Sequence, residues 1–361
     1  MRILILANHD LGLYRFRKDL IKTLLQCHEV YISLPRGEMT GHLTDMGCVF
    51  IDTPMDRRGI DPAKDLKLLL SYKKLLGDLK PDLVITYTIK PNIYGGLVCG
   101  MKGIPFAVNV TGLGSAFEQG GALQALVTLL YRAALRRAFV VFTENTSIRD
   151  ILIRKKICQG SRIRVLQGAG VSLEDFCLLP YPDNRTFIFL FIGRVMKEKG
   201  VGELFAAMRS LRRRGRDCVL HIVGFSEEDY RKELEEASRE GWLYDHGFQE
   251  DVRPFIGASD CFVLPSWHEG MANTNLECAA SGRPLITTDI PGCREAVIEG
   301  QTGFLCRKKD SGSLEKAMAR MMDLSREERE AMGKAGRRLM EERFDKKSVV
   351  EDTLQCLFSG M

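Results

Sequence analysis

Residues 187–208, FIFLFIGRVMKEKGVGELFAAM, hold the turn on which the reading of the whole chain depends. The run Phe187–Ile192 is apolar at every position and stops at Gly193. Such a run fits a strand covered on both faces. After a short loop, apolar residues return at helical spacing from Val201. Strand, loop and helix make a βα unit, and Arg194 and Lys199 both sit in its loop. Two cations at that place suit a diphosphate. A guanidinium binds phosphate oxygens as a fork, an ammonium as a point charge, and the adjacent helix N-terminus adds partial positive charge. A solvated charged loop is the competing explanation, and no Walker-type glycine spacing is present.

The same rhythm extends to both sides. Upstream, RILILA, EVYISLP, DLVITYT, PFAVNVTG and FVVFTEN read as strands. Between them YRFRKDLIKTLLQ, DLKLLLSYKKLLGDLK, PNIYGGLVCGMKG and LQALVTLLYRAALRRA read as helices. The proline-bearing stretch 172–186 interrupts the alternation and reads as a linker. Downstream come the helix GVGELFAAMRSLRRRG, the strand CVLHIVG, the helix SEEDYRKELEEASREG, and short strands at LYDHG, DCFVLPS and RPLITTD. A helical tail from residue 312 is interrupted once, near FDKK. Strands alternating with helices predict doubly wound parallel sheets, and 361 residues are too many for one comfortable core. Two α/β domains are expected, at 1–175 and 176–344, with a C-terminal helix at 345–361 packing back on the first. Ligands of such sheets bind beyond the carboxyl ends of the strands, and with two domains the crevice between them is the expected place.

Composition narrows the function classes. No apolar run is long enough to span a bilayer, and the N-terminal MRILILANHD lacks the longer apolar region and cleavage site of a signal peptide. Eleven cysteines, an odd number with no C-x-x-C pair, fit reduced core thiols and a cytoplasmic location. No histidine pairs locally with cysteine at zinc-ligand spacing. The net charge of +5 is compatible with anionic ligands or an anionic membrane surface. Without a basic run interleaved with aromatics, nucleic acid is not an expected partner. No G-x-G-x-x-G follows a strand, which argues against a nicotinamide oxidoreductase.

The richest stretch is LPSWHEGMANTNLECAASGRPLITTD. Glu269 and Glu277 stand eight positions apart, one before a helix and one inside it. Gly270 permits an irregular turn, and Asn273, Thr274 and Asn275 are able to cap the helix. The free N–H groups of that first turn favour an anion, and carboxylates accept hydrogen bonds from sugar hydroxyls. Ordinary readings stand beside these: Glu277 as an acidic complement to a helix N-terminus, Glu269 as a solvated loop residue.

Together the loop GRVMKEKG, the segments HIVG, HGF and CFVLPS, the E-x7-E of EGMANTNLE, and SGRPLITTDIPGCREAVIEGQTGFL resemble the family 4 retaining glycosyltransferases of the GT-B fold. The resemblance covers residues 187–310; ITYTIKPNIYG and VNVTGLGSAF carry it less sharply into the N-terminal half. These last resemble the branch that elongates polyprenyl-diphosphate-linked glycans and capsule intermediates. The resemblance implies two Rossmann-like domains facing across a cleft, no metal and no cofactor, and a nucleotide sugar as substrate, a UDP-linked N-acetylhexosamine or hexose being the usual donor. It implies that Arg194 and Lys199 bind the donor diphosphate with Gly193 beside them, and that Glu269 contacts sugar hydroxyls. Gly270, Met271, Ala272 and Asn273, followed by Thr274, would present backbone to sugar and phosphate, and Glu277 would hold the ribose. Gly224, Gly247, Phe248 and Gln249 would frame the base, and Gly12 would let the first loop approach the phosphates.

The acceptor side departs from the family pattern. Many members carry a histidine near the donor sugar, where this chain offers Thr111 and Gly112, or Lys90. His9 follows the first strand and is either near the site or a strand-end residue; His268 reads as structural. The GLGSAF segment either meets the acceptor or shapes a loop. The helix at 123–139, with Arg132, Arg136 and Arg137 at one end, is either a sheet-packing helix or a basic amphipathic element on the anionic inner leaflet. A sugar-nucleotide epimerase or a non-catalytic sugar-binding module on the same scaffold are the alternatives to a transferase. Release of free nucleotide diphosphate only when an acceptor is supplied separates them.

Overall fold

The computed structural model describes residues 1–56, 61–112 and 121–359. The chain forms two compact units, Met1–Ala169 with Ser348–Met361, and Gly170–Lys347.

In the first unit β1 (Arg2–Leu6), α1 (Asp10–Leu25), β2 (Glu29–Leu34), α2 (Thr40–Asp45), β3 (Val49–Asp52), α3 (Pro62–Leu79) and β4 (Leu83–Tyr87) follow one another. A π turn (Pro91–Gly95), α4 (Gly96–Lys102), β5 (Phe106–Val110), α5 (Gly121–Leu135), β6 (Val140–Thr143), α6 (Thr146–Arg154) and β7 (Ile163–Val165) complete the alternation. The sheet is parallel throughout, in the order β3-β2-β1-β4-β5-β6-β7. Ile3–Leu6 are fully buried, as a central strand between helical layers requires. Local chemistry sets the helix starts. The Asp61 carboxylate accepts from Ala63 N and Lys64 N, with Pro62 in the first helical turn of α3.

In the second unit β8 (Phe187–Ile192), α7 (Val201–Arg213), β9 (Cys218–Val223), α8 (Arg231–Arg239), β10 (Leu243–Asp245), α9 (Arg253–Ala258) and β11 (Cys261–Leu264) lead to α10 (Asn273–Ala280). Then come β12 (Leu285–Thr288), β13 (Gly303–Cys306), α11 (Ser311–Asp323) and α12 (Arg326–Arg343); α13 (Lys346–Phe358) follows and from Ser348 onward belongs to the first unit. The parallel order is β10-β9-β8-β11-β12-β13. Phe189, Phe191 and Phe262 are completely buried in its core, each contributing about 1.5–3 kcal/mol by leaving water. Val349 and Leu357 of α13 are buried in the core of the first unit.

Several expectations are corrected. The helical tail breaks twice: besides the stop at Phe344, a capping box between Ser325 and Glu328 starts α12 afresh. The helix read from SEEDYRKELEEASREG starts only at Arg231, because Ser226 instead pairs with Val195 as a short parallel bridge. Strands β3, β7 and β13 are additional; β3 is an edge strand without a fully buried residue, so its sequence lacks the apolar run that marks the others. The helix read from PNIYGGLVCGMKG opens as a π turn. The stretch 172–186 is not a free linker. Tyr181 donates to Asp260 O at 2.7 Å, and the fully buried Arg283 guanidinium donates to Pro180 O at 2.7 Å and Gly257 O at 3.0 Å. These contacts strap it along the second unit.

Candidate functional site

In the second sheet the strand order reverses between β8 and β11, so the loops that follow these two strands flank the switch point where α/β sheets bind ligands. Lys199 leaves the first loop and Glu269 the second, and they meet: Nζ lies 2.5 Å from Glu269 Oε1. Ser266 Oγ donates to the same oxygen at 2.7 Å. Both charged side chains are largely buried. The loops are bolted together by backbone as well. Trp267 N donates to Glu198 O at 2.8 Å, and the Trp267 indole reaches Glu203 at 3.2 Å. Gly200 has φ 73°, and a Cβ there would stand 2.1 Å from Pro265 O, so only glycine fits.

Glu269, Gly270, Met271 and Ala272 then run into α10. Ala272 N donates to Gly292 O at 2.7 Å. Gly292 has φ 85°, and a Cβ would press within 2.6 Å of Glu269 O. The GCRE segment thus forms the floor beneath Glu269. Burial, reinforced by the Glu269 charge, pushes the Cys293 thiol there far up, so it packs as an apolar group. The expected cap is corrected: Ala272 is the N-cap, with no side-chain cap bond, and Asn273, Thr274 and Asn275 lie inside the first turn. Asn275 instead points into the core and donates to Thr287 Oγ1 at 3.2 Å. Glu277, half-buried, is in the second turn of α10.

Arg194 follows Gly193 at the end of β8 and pairs with Glu227, which sequence reading placed in a helix. At the neighbouring strand ends Gly224 N donates to Gly247 O at 2.7 Å, aligning the glycines after β9 and β10. Phe248 is exposed beside them, and Gln249 Nε2 donates to His246 O at 2.8 Å. Burial, with His246 at 3.3 Å, holds the His221 imidazole below its ordinary range. The second unit therefore brings together Lys199 and Glu269 directly, and places Arg194 and the three glycines on the same carboxyl edge.

In the first unit the corresponding switch lies between β1 and β4. After β1, His9 Nδ1 accepts from Gly12 N at 3.3 Å and so caps α1. A Cβ on Gly12 would meet nothing within 4 Å, so the fold itself does not require glycine there. After β4, Thr88 has φ 71°, a strained conformation for a β-branched residue. Lys90 follows, its Nζ 2.8 Å from Asp65 Oδ1. Burial, with the charge of Asp65, pushes the nearby Tyr94 phenol up. Beneath them Arg17 pairs with Glu144 at 2.8 Å and stacks over Tyr87 at 5.2 Å. Thr111 and Gly112 follow β5, and the rest of GLGSAF lies outside the described residues. Sequence reading missed Thr88, Glu227, Ser266 and the Arg17–Glu144 pair. Position after an apolar strand was the available signal for Thr88, Glu144 and Ser266; nothing local marks Arg17 or Glu227.

A family model described as "Glycosyl transferase 4-like" matches residues 2–145, and one described as "Glycosyl transferases group 1" matches residues 181–339. The chain is 26% identical over 341 residues to the N,N'-diacetylbacillosaminyl-diphospho-undecaprenol alpha-1,3-N-acetylgalactosaminyltransferase of Campylobacter jejuni, covering 90% of each chain. It is 30% identical over 311 residues to the UDP-Gal:alpha-D-GlcNAc-diphosphoundecaprenol alpha-1,3-galactosyltransferase of Escherichia coli, covering 80% of this chain and 78% of that one. Among solved structures, HepE of Anabaena in complex with UDP superposes with a TM-score of 0.82 at 17% identity, over 99% of this chain and all of that one. With both halves matched and such a relative covered over most of its length, the chain belongs to the glycosyltransferases of the GT-B fold, pairing a 4-like N-terminal half with a group 1 C-terminal half.

Proposed function

We propose that this glycosyltransferase moves an N-acetylhexosamine or hexose from a UDP-sugar to a polyprenyl-diphosphate-linked glycan, with retention at the anomeric carbon and without a metal ion, in bacterial surface polysaccharide or glycoprotein glycan synthesis. The observation that carries the donor half is the Lys199–Glu269 pair across the switch point of the second sheet. The names of the Campylobacter jejuni and Escherichia coli relatives, both transferases acting on diphospho-undecaprenol sugars, support the acceptor class. The HepE complex with UDP supports the nucleotide.

In this reading Arg194 and Lys199 face the donor diphosphate, Glu269 the sugar hydroxyls and Glu277 the ribose. Gly193, Gly224 and Gly247 to Gln249 line the nucleotide, and Gly270 to Thr274 offer backbone. The bond between the anomeric carbon and the diphosphate oxygen breaks, and its electron pair stays on the diphosphate. The two cations are fixed before the reaction where that charge develops, which is how electrostatic preorganisation lowers a barrier. The acceptor hydroxyl attacks from the face the diphosphate leaves, and its proton passes to a diphosphate oxygen. His9, Lys90, Thr111 and Gly112 are assigned to the acceptor side.

Docking on the anionic inner leaflet is part of the same proposal. Helix α5 exposes Leu126 and Leu129, and α6 exposes Ile153. Beside them a cavity of about 670 Å³ is rimmed by Arg132, Arg136, Lys156 and Arg162, with no carboxylate among its described lining residues. Apolar side chains flanked by cations suit an anionic bilayer surface. Among the described residues no helix is long and apolar enough to cross a membrane.

The test is a panel of UDP-sugars supplied with polyprenyl-diphosphate-linked acceptors in chelator. The expected result is UDP release dependent on acceptor and a product with the donor's anomeric configuration by NMR. An inverted product, or activity abolished by chelator and restored by metal, refutes those parts. Flotation with anionic liposomes at low salt tests docking; failure to float removes it.

A further inference from the structure

Arg194 and Lys199 leave the same loop but are balanced by different kinds of carboxylate. Lys199 pairs with Glu269, which the donor reading already places on the sugar. Arg194 pairs with Glu227, on the loop after β9, which that reading does not use. The contact is built by the backbone. Val195 N donates to Phe225 O at 3.0 Å, and Glu227 N donates back to Val195 O at 3.1 Å, forming a parallel bridge between the two loops. One residue further, Glu228 Oε2 accepts from Lys197 N at 2.8 Å. Glu227 is thus held where its side chain meets the guanidinium.

The pair is also weak enough to yield. The Arg194 side chain is 41% exposed and that of Glu227 23%, and solvent-facing ion pairs shift an equilibrium by at most about fivefold. A diphosphate carries more charge and more oxygens than one carboxylate and takes an arginine fork bidentately. The two anions repel one another at a single guanidinium. We propose that Glu227 is a displaceable counter-ion: it occupies Arg194 in the empty site, yields it when a nucleoside diphosphate group binds, and reclaims it as the product leaves. This rests on the reading that Arg194 meets the diphosphate. A ligand that must first free its partner binds with an affinity reduced by the fraction of sites in which that partner is free.

Calorimetric titration with UDP tests this on wild type, Glu227→Gln, Arg194→Ala and the double variant. Glu227→Gln tightens UDP about two- to fivefold, the worth of an exposed pair, and lowers the UDP product-inhibition constant by the same factor. The gain disappears in the Arg194→Ala background, because there is no guanidinium left to compete for. Wild-type protein that binds no UDP brings down the donor-site reading, and this proposal with it. If wild type binds UDP while Glu227→Gln binds it equally or more weakly, the counter-ion role alone is overturned. A gain that persists without Arg194 overturns it too, since that would be a diffuse charge effect.

Discussion

The two sheets reverse strand order in the same way but equip their switch points differently. In the second unit the loops after β8 and β11 are joined by charge, through Lys199 and Glu269, and by glycines at which backbone meets backbone. In the first unit the loops after β1 and β4 are shaped by strain and by a buried polar layer: Thr88 at φ 71°, a π turn, and Lys90 tied to Asp65. One switch point gathers two cations, each with a carboxylate partner, on loops locked to one another by backbone. The other presents Lys90, likewise paired with a carboxylate, on an irregular backbone. On the proposed function a phosphate-bearing donor has constant chemistry and suits the first design. The names of the two relatives give different acceptors, and on the same proposal the second design is the one that can change with them.

This contrast is broken or sharpened most by Lys199→Ala. Removing one preorganised group that faces developing charge costs about 10²–10³-fold in turnover, roughly 3–4 kcal/mol. Steady-state kinetics with a saturating acceptor should show kcat and kcat/KM falling together; the thermal midpoint should fall as well, because the largely buried Glu269 carboxylate loses its counter-charge. Near-normal turnover in Lys199→Ala would mean that the charge at the second switch point is structural. Lys90→Ala is expected to be milder, because in the proposed reading its loss falls on acceptor binding and not on developing charge. An increase of about tenfold in the acceptor KM, near 1.4 kcal/mol, with unchanged UDP affinity, is the expected split. If UDP affinity falls instead, Lys90 belongs to the donor side and the two switch points are not divided as proposed.

The difference between the two regions also explains what could be read from the chain. Strands β8 and β11 announce themselves as apolar runs, and charge placed just after such runs, as at Arg194, Lys199 and Glu269, is visible as composition at a strand end. Alternating apolar and amphipathic stretches were enough for two doubly wound sheets. What stayed hidden depends on partners distant in sequence or on backbone angles. Nothing in the letters of ITYTIKPN sets Thr88 at positive φ or opens α4 as a π turn. Glu227 lies in a stretch whose periodicity suits a helix, and the bridge of its neighbour Ser226 to Val195 takes it out of one. Asn273 and Thr274 look like caps because asparagine and threonine favour that position, yet Gly292 O pins Ala272 there first. The edge strand β3 is half exposed and carries no apolar run to read.

The smallest expected effect tests whether the strain at the first switch point has a use. Thr88 holds a left-handed conformation, which costs a non-glycine residue about 1–3 kcal/mol. Glycine adopts that conformation freely but loses roughly 0.5–1 kcal/mol more entropy on folding. Thr88→Gly should therefore gain about 1 kcal/mol in urea unfolding, visible as a later midpoint at unchanged slope. If the strain serves to aim Lys90, the same variant should raise the acceptor KM a few-fold while leaving UDP affinity alone. A stabilised protein with unaltered kinetics would mark Thr88 as an accident of the β4 turn. A destabilised one would show that the Thr88 hydroxyl, which donates to Tyr87 O, contributes more than the dihedral costs. Only the combination of higher stability and a weaker acceptor joins the strain to the site, since strain kept at a cost in stability has to be repaid in function.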